Sequence, residues 1–169
     1  MAKLIWITGL AGSGKSTIGN IIYERFKALS PATVFLDGDR IRNIFGDDLG
    51  HDPDGRIKNA RRIAGLCKFL VEQDINVICA TMSLYSEIHE FNRNSHTEYF
   101  EIFLECSMDE LRKRDQKGLY SMAMEGKAKN IVGVDLAYDK PEKADLVLEN
   151  TAMSDIEGNV EKILKLVLP

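Results

Sequence analysis

The sequence is poor in the residues that build covalent or metal-held scaffolds. Only three of its 169 residues are cysteine. Cys67, Cys79 and Cys106 stand far apart among apolar neighbours. That number and spacing exclude a disulfide framework and the paired-cysteine patterns of zinc and redox sites. Reduced structural thiols are what remains. Prolines number four, and no Pro/Ser/Gly-rich tract, repeat or low-complexity stretch occurs. Residues 1–169 are therefore expected to form a single domain around one core. Positive charge is not in excess either: 22 Lys and Arg face 26 Asp and Glu, for a net charge of -4. This balance argues against a nucleic-acid polymer or a membrane surface as partner, while a local basic pocket remains open. No apolar run is long enough for a membrane span, and the one at Leu4–Ile7 is too short for a signal segment. The expected location is the cytoplasm. The rest is ordinary for a globular protein, 44% apolar and 28% charged.

Within that composition, strands alternate with helices. Lys3 to Thr8 reads as a buried strand, followed by a glycine turn and a helix from about Lys15 to Leu29, with Ile18, Ile21, Ile22, Phe26 and Leu29 at helical spacing. Thr33 to Leu36 is a second short strand. Asp54 can cap a long helix whose inner face is Ile57, Ala60, Ala64, Cys67, Leu70 and Val71. Ile75 to Thr81 is a third buried strand, and a polar helix around Ser86 to Arg93 follows. Tyr99 to Glu105 is a fourth strand, Met108 to Arg114 a short helix, and Asp145 to Leu148 a fifth strand. Ile156, Val160, Ile163, Leu164 and Val167 make a closing amphipathic helix. Residues 115 to 143 show weak periodicity. This order predicts an α/β fold, a parallel sheet with helices on both faces. Ligands of such sheets sit at the carboxyl ends of the strands, here Thr8-Gly9, Asp37-Gly38-Asp39, Thr81-Met82-Ser83 and the segment after Glu105.

Two of those strand ends carry chemistry. Gly9-Leu10-Ala11-Gly12-Ser13-Gly14-Lys15-Ser16-Thr17 matches the phosphate-binding pattern G-x-x-x-x-G-K-[ST] between a buried strand and an amphipathic helix. Gly9, Gly12 and Gly14 let successive N–H groups, including those of Ser13 and Thr17, converge on one phosphate. The helix start adds its positive end. Lys15 reaches the β and γ phosphates of ATP, and the Ser16 hydroxyl can ligate Mg²⁺. After the second strand, Asp37 and Asp39 flank a glycine. Such a triplet is ordinarily a turn, but beside a phosphate loop one carboxylate can organise magnesium and the other can accept the proton of an attacking hydroxyl. Arg42 can bind an anionic part of the acceptor.

Taken together these residues resemble the adenylylsulfate (APS) kinase family. The resemblance runs from Gly9 to about Thr151. It is carried by the phosphate loop, by Leu36-Asp37-Gly38-Asp39 with Arg42, and by Arg56 with Asn59-Ala60-Arg61-Arg62-Ile63. It continues through Arg114-Asp115-Gln116-Lys117-Gly118-Leu119-Tyr120 and the stretch from Gly133-Val134-Asp135 to Tyr138 and Pro141. It implies a P-loop kinase fold with a five-stranded core, a mobile lid over about 114–137, and a homodimer. It also implies γ-phosphoryl transfer from MgATP to the ribose 3′-hydroxyl of a nucleotide. By position, Asp39 looks like the residue holding that hydroxyl, with Asp37 and Ser16 at the metal. Arg42, Arg56 and Asn59 look like binders of the acceptor's 5′ anionic group. Lys117 looks like a lid residue closing over the reacting phosphates, and Arg114 like a contact of ATP.

Three departures bear on the acceptor. The family grips adenine between two phenylalanines, one in a Leu-Gly-Phe and one in a Phe-Thr-Gly-Ile-Asp. Here those places read Leu49-Gly50-His51 and Ile131-Val132-Gly133-Val134-Asp135. Stacking is worth about 1–3 kcal/mol per partner, so losing both weakens a purine site by roughly one to four orders of magnitude. The family's Ser-Pro-x-Arg-like segment reads Ser83-Leu84-Tyr85-Ser86. Anion binders kept beside a lost base sandwich resemble the APS-kinase-like branch of capsule phosphoramidate pathways, which phosphorylates cytidine 5′-diphosphoramidate. His51 and Ile131 are then expected to cover a smaller base. APS remains the alternative acceptor. His89 and His96 are expected at the surface, and Met122 and Met124 inside the lid.

Overall fold

The computed structural model describes residues 1–115, 117–151 and 153–168; Gln116, within the expected lid, lies outside them. Five strands, β1 (Leu4–Thr8), β2 (Thr33–Asp37), β3 (Asn76–Ala80), β4 (Tyr99–Glu105) and β5 (Leu146–Glu149), form one sheet in the order β2-β3-β1-β4-β5. Every pairing is parallel. The central strands β1 and β3 are buried along their whole length, as their continuous apolar runs predict.

Side chains of β1 alternate between two faces. Ile5 and Ile7 join Ile78, Ile102 and Leu104 beneath α1 (Lys15–Leu29) and the closing helix Ile156–Val167. Leu4 and Trp6 pack with Val77 and Cys79 against α2 (Gly38–Ile44), α3 (Pro53–Val71) and α4 (Ser86–Ser95). A third apolar cluster lies beyond the carboxyl ends of the strands, where Leu10, Leu84, Phe103 and Leu111 meet Tyr120, Ile131 and Val132. This cluster moors the segment after α5 (Met108–Arg114), including α6 (Leu119–Met124), against the sheet. No helix among the described residues is long and apolar enough to cross a membrane.

Several sequence expectations need correction. Helices α2 and α6 are additional. Both are short, and each start is held by one aspartate. Asp37 accepts from the N–H groups of Asp39 (3.1 Å) and Arg40 (3.2 Å), and Asp115 accepts from Tyr120 and Ser121, each at 2.9 Å. The cap of α3 is Asp52, not Asp54. Its carboxylate accepts from Gly55 N–H at 2.8 Å, with Pro53 at the first helical position. Asp54 instead pairs with Lys58 at 2.6 Å. His89 and His96 are buried, each 8% exposed, and Met122 and Met124 are exposed. The thiols of Cys67, Cys79 and Cys106 are free, the first two buried.

Candidate active site

The phosphate loop leaves β1 through backbone that only glycine tolerates. Gly9 has φ 155°, and a Cβ there would lie 2.6 Å from the Leu104 carbonyl. Gly14, with φ 95°, ends the loop as the N-cap of α1, so the helix's free N–H groups open onto a cavity of about 720 Å³. Gly12, Gly14, Lys15, Ser16 and Thr17 line that cavity. Gly9 and Ser13 are buried behind it and shape the curl. Asn150, just past β5, donates to the Ser13 carbonyl at 2.7 Å. Arg114 donates to the carbonyls of Gly12 (3.2 Å) and Asn150 (2.8 Å) and pairs with Glu110. Both side chains tie the loop to the far edge of the sheet.

Lys15 donates to the loop's own Leu10 carbonyl at 2.7 Å. Burial of its ammonium group lowers its pKa to about 8, against the pull of Asp39 and Asp37 and with a small push from Lys117. Ser16 Oγ lies 2.5 Å from Asp37 Oδ2. That sets two hard oxygens side by side at the foot of the loop. The pair fits Mg²⁺, which takes one or two protein oxygens and completes its shell with phosphates and water. Among the described residues no larger acidic or histidine cluster suits a metal.

Asp39 faces the same cavity. Lys117 reaches it from the segment before α6, Nζ to Oδ2 at 2.5 Å, with both side chains 74% exposed. Burial works to raise the Asp39 pKa, but the hydrogen bond and charge of Lys117, then Lys15 and Arg42, outweigh it and hold the carboxyl below the usual aspartate range. It is therefore ionised at neutral pH and able to accept a proton. An exposed ion pair of this kind is worth only about 0–1 kcal/mol, so an incoming hydroxyl or phosphate can displace Lys117 from it.

At the other end of the cavity, Arg42, Arg56 and Asn59 come together with His51 and Ser83. Both arginines are braced by backbone. Arg42 donates to the Gly50 carbonyl at 2.6 Å and pairs with Asp47 at 3.1 Å. Arg56 donates to the carbonyls of His51 (2.7 Å) and Asn130 (2.9 Å), so one side chain joins the loop before α3 to the segment after α6. Burial of its guanidinium lowers the Arg56 pKa, and the positive charge of Arg42 adds to this. The Asn59 Oδ1 is buried with no partner, in keeping with a polar group awaiting a ligand. Ser83 Oγ shares a hydrogen bond with Thr81 Oγ1 at 2.9 Å. Ile131 does not reach the cavity. It is 4% exposed and packs in the third apolar cluster, because the turn at 131–135 aims its side chain inward while Asp135 accepts from its N–H at 2.5 Å.

Sequence reasoning missed Asn150, Tyr85, Tyr120, Tyr138 and Asp139. Asn150 stands at the carboxyl end of a strand, a position that could have drawn attention to it. The others depend on contacts between distant segments. His89, read as a surface residue, lies behind the floor, its Nε2 3.1 Å from the Ser83 carbonyl and its Nδ1 3.7 Å from buried Glu101.

A phosphate cradle with a buried lysine, a serine–aspartate foot and a second, ionised aspartate across the cleft, on this sheet order, define an ATP-dependent phosphotransferase of the P-loop kinase class. The family described as adenylylsulphate kinase matches residues 1–149. The chain is 47% identical, over 96% of its length and 94% of the relative's, to the cytidine diphosphoramidate kinase of Campylobacter jejuni. It is 35% identical to the adenylyl-sulfate kinase of Oceanobacillus iheyensis, covering 96% of this chain and 82% of that one. Among solved structures it is similar to the APS kinase CysC of Mycobacterium tuberculosis in complex with AMPPNP and APS, with a TM-score of 0.87, 29% identity and coverage of 99% and 98%. The chain belongs to the adenylylsulphate kinase family.

Proposed function

We propose that this enzyme moves the γ-phosphoryl group of MgATP to the 3′-hydroxyl of cytidine 5′-diphosphoramidate, in the cytoplasm and as a homodimer, on the way to a capsule phosphoramidate. The loop from Gly9 to Thr17, Lys15 included, holds the triphosphate, and Ser16 and Asp37 would hold a magnesium ion, which would supply positive charge against the phosphates. Arg114 closes the donor side. Arg42, Arg56 and Asn59 bind the acceptor's diphosphoramidate and so present its ribose to Asp39. The Asp39 carboxylate takes the proton of the 3′-hydroxyl as that oxygen bonds to the γ phosphorus. The bond from that phosphorus to the bridging oxygen breaks, and ADP leaves. Lys117 moves from Asp39 to the transferring oxygens as the segment 114–137 closes, which keeps water from the γ phosphate.

One observation supports this acceptor over a purine nucleotide. The anion-binding end is intact, whereas the two places that would flank adenine hold an exposed histidine and an isoleucine turned into the core. The 47% identity to a cytidine diphosphoramidate kinase points the same way. The second reading, adenylylsulfate kinase, is favoured by the family at large and by the M. tuberculosis neighbour. Steady-state kinetics with both acceptors separate them. We expect the cytidine acceptor to have the higher kcat/KM by at least about tenfold, as loss of one stacking partner predicts. A higher value for APS would reject the cytidine assignment.

A further inference from the structure

With Ile131 buried, the acceptor base needs another surface. Besides Tyr120, whose hydroxyl is bonded to the Ala11 carbonyl, two tyrosines line the same cavity, Tyr85 and Tyr138. They come from segments 53 residues apart in sequence, and three hydrogen bonds fasten those segments together. Asp139 N–H donates to the Leu84 carbonyl at 3.1 Å, and the Asp139 carboxylate accepts from Ser86 N–H at 2.8 Å and Ser86 Oγ at 2.9 Å. These bonds flank residue 85 on both sides and fix residue 139, next to Tyr138, so the two segments that carry the tyrosines are fastened together where both line the cleft. Leu84, 2% exposed, anchors one side of the junction in the third apolar cluster. The junction also gives the Ser83-Leu84-Tyr85-Ser86 segment a purpose, because Ser86 supplies both donors to Asp139.

Tyr85 lies close enough to Arg56 and Arg42 for their charges to act on its hydroxyl. A nucleotide whose 5′ anion sits on those arginines thus has this ring within its own length. Tyr138 is 38% exposed, and among the described residues neither phenol makes a hydrogen bond. Tyr85 is partly buried and rests against the second apolar cluster, which steadies its ring where it lines the cavity. Each tyrosine there can present ring surface for stacking and an uncommitted hydroxyl that can donate to a base carbonyl or accept from an exocyclic amine.

We infer that Tyr85 and Tyr138 form the base subsite of the acceptor and select a pyrimidine nucleotide through one stacked ring and one hydroxyl contact. This rests on the function proposed above, in which the acceptor's 5′ group sits on Arg42 and Arg56.

The test is steady-state kinetics at saturating ATP with wild type, Tyr85→Ala, Tyr85→Phe, Tyr138→Ala and Tyr138→Phe, each with cytidine 5′-diphosphoramidate and with APS. Thermal melts check that each variant folds. The alanine variants should raise the KM for the cytidine acceptor by about 5- to 150-fold, the range for one lost base stack, and leave the KM for ATP within about twofold. The phenylalanine variants should keep most of the affinity. At least one should lower the preference for cytidine over adenosine severalfold, since only the hydroxyl is lost. If both folded alanine variants keep the wild-type KM for the preferred acceptor, the subsite is wrong. If wild type prefers APS, the proposed acceptor fails, and the same alanine variants with APS then decide the subsite separately. An alanine variant that does not fold is replaced by its leucine counterpart, which keeps bulk without an aromatic face and carries the same expectation.

Discussion

At the donor end of the cleft, nine consecutive residues running from the end of β1 into the first turn of α1 make the phosphate cradle, largely from backbone N–H groups. At the acceptor end the wall is drawn from α2, the start of α3, the segment after β3 and the segment after α6, and it is held by side chains that reach across. Arg56 bridges His51 and Asn130, and Asp139 bridges Leu84 and Ser86. A loop fixed by glycine geometry cannot vary much without losing its function. A wall fastened by side chains can change one ring at a time, so the acceptor end tolerates substitutions that the donor end does not.

The sharpest way to break this comparison is to remove one group from each end. Lys15→Ala should lower kcat by about 10²–10³ or more through lost charge stabilisation and should also weaken ATP binding. Asp39→Ala should lower kcat by about 10²–10⁴ through the lost proton acceptor, with the KM for ATP nearly unchanged. If single-turnover rates show Asp39→Ala at wild-type speed, Asp39 is not the base, and the division of labour across the cleft fails with it.

A smaller effect is expected at the bridge. Arg56→Ala removes two hydrogen bonds to backbone and, on the function proposed above, one charged contact to the acceptor's anion. Charge-assisted bonds are worth about 1.5–3 kcal/mol, so the acceptor KM should rise about 10- to 150-fold while the ATP KM holds. If both KM values rise together, the two ends are coupled and the acceptor wall is not the independent module described above.

What could be read from the sequence follows the same division. The strands, α1, α3 and the phosphate loop are legible because their signals are local, a 3.6-residue apolar period or a motif of nine residues. Helices α2 and α6 are too short to show a period, and each start is held by an aspartate whose partners only the fold reveals. His89 and His96 lie on or just beyond a helix that is polar in composition, yet its inner face meets Glu101, 1% exposed, with Arg93 at 2.9 Å. On β4, Glu101 stands 3.7 Å from His89 and Tyr99 stacks on His96, and it is this packing that makes both histidines core residues. The same limit applies to Ile131. Its place in the motif is local, but the direction of its side chain is set by the turn that Asp135 closes. Tyr85 and Tyr138 reach one lip through a junction no local pattern encodes.

The finest expected effect is at the donor end and concerns a proton. The Lys15 pKa is lowered from 10.5 to about 8 by burial of its ammonium. Between those values the unfolded chain holds the lysine proton more tightly than the fold does, so this group makes stability rise with pH across that window. A bound triphosphate reverses the balance, because its negative charge favours the ammonium and lifts the pKa again. At pH 8.5 about three quarters of free-enzyme Lys15 is neutral, so binding of an ATP analogue should take up roughly 0.7 of a proton. At pH 6.5 Lys15 contributes almost none. Calorimetric titrations in two buffers of different ionisation enthalpy measure the uptake directly. Lys15→Met should abolish the difference seen at pH 8.5. Identical binding enthalpies in the two buffers for wild type at pH 8.5 would mean that the lysine is already charged in the empty cleft. The Leu10 carbonyl and the two aspartates would then hold the ammonium as firmly as the nucleotide does, and the donor site would be preorganised in charge as well as in backbone.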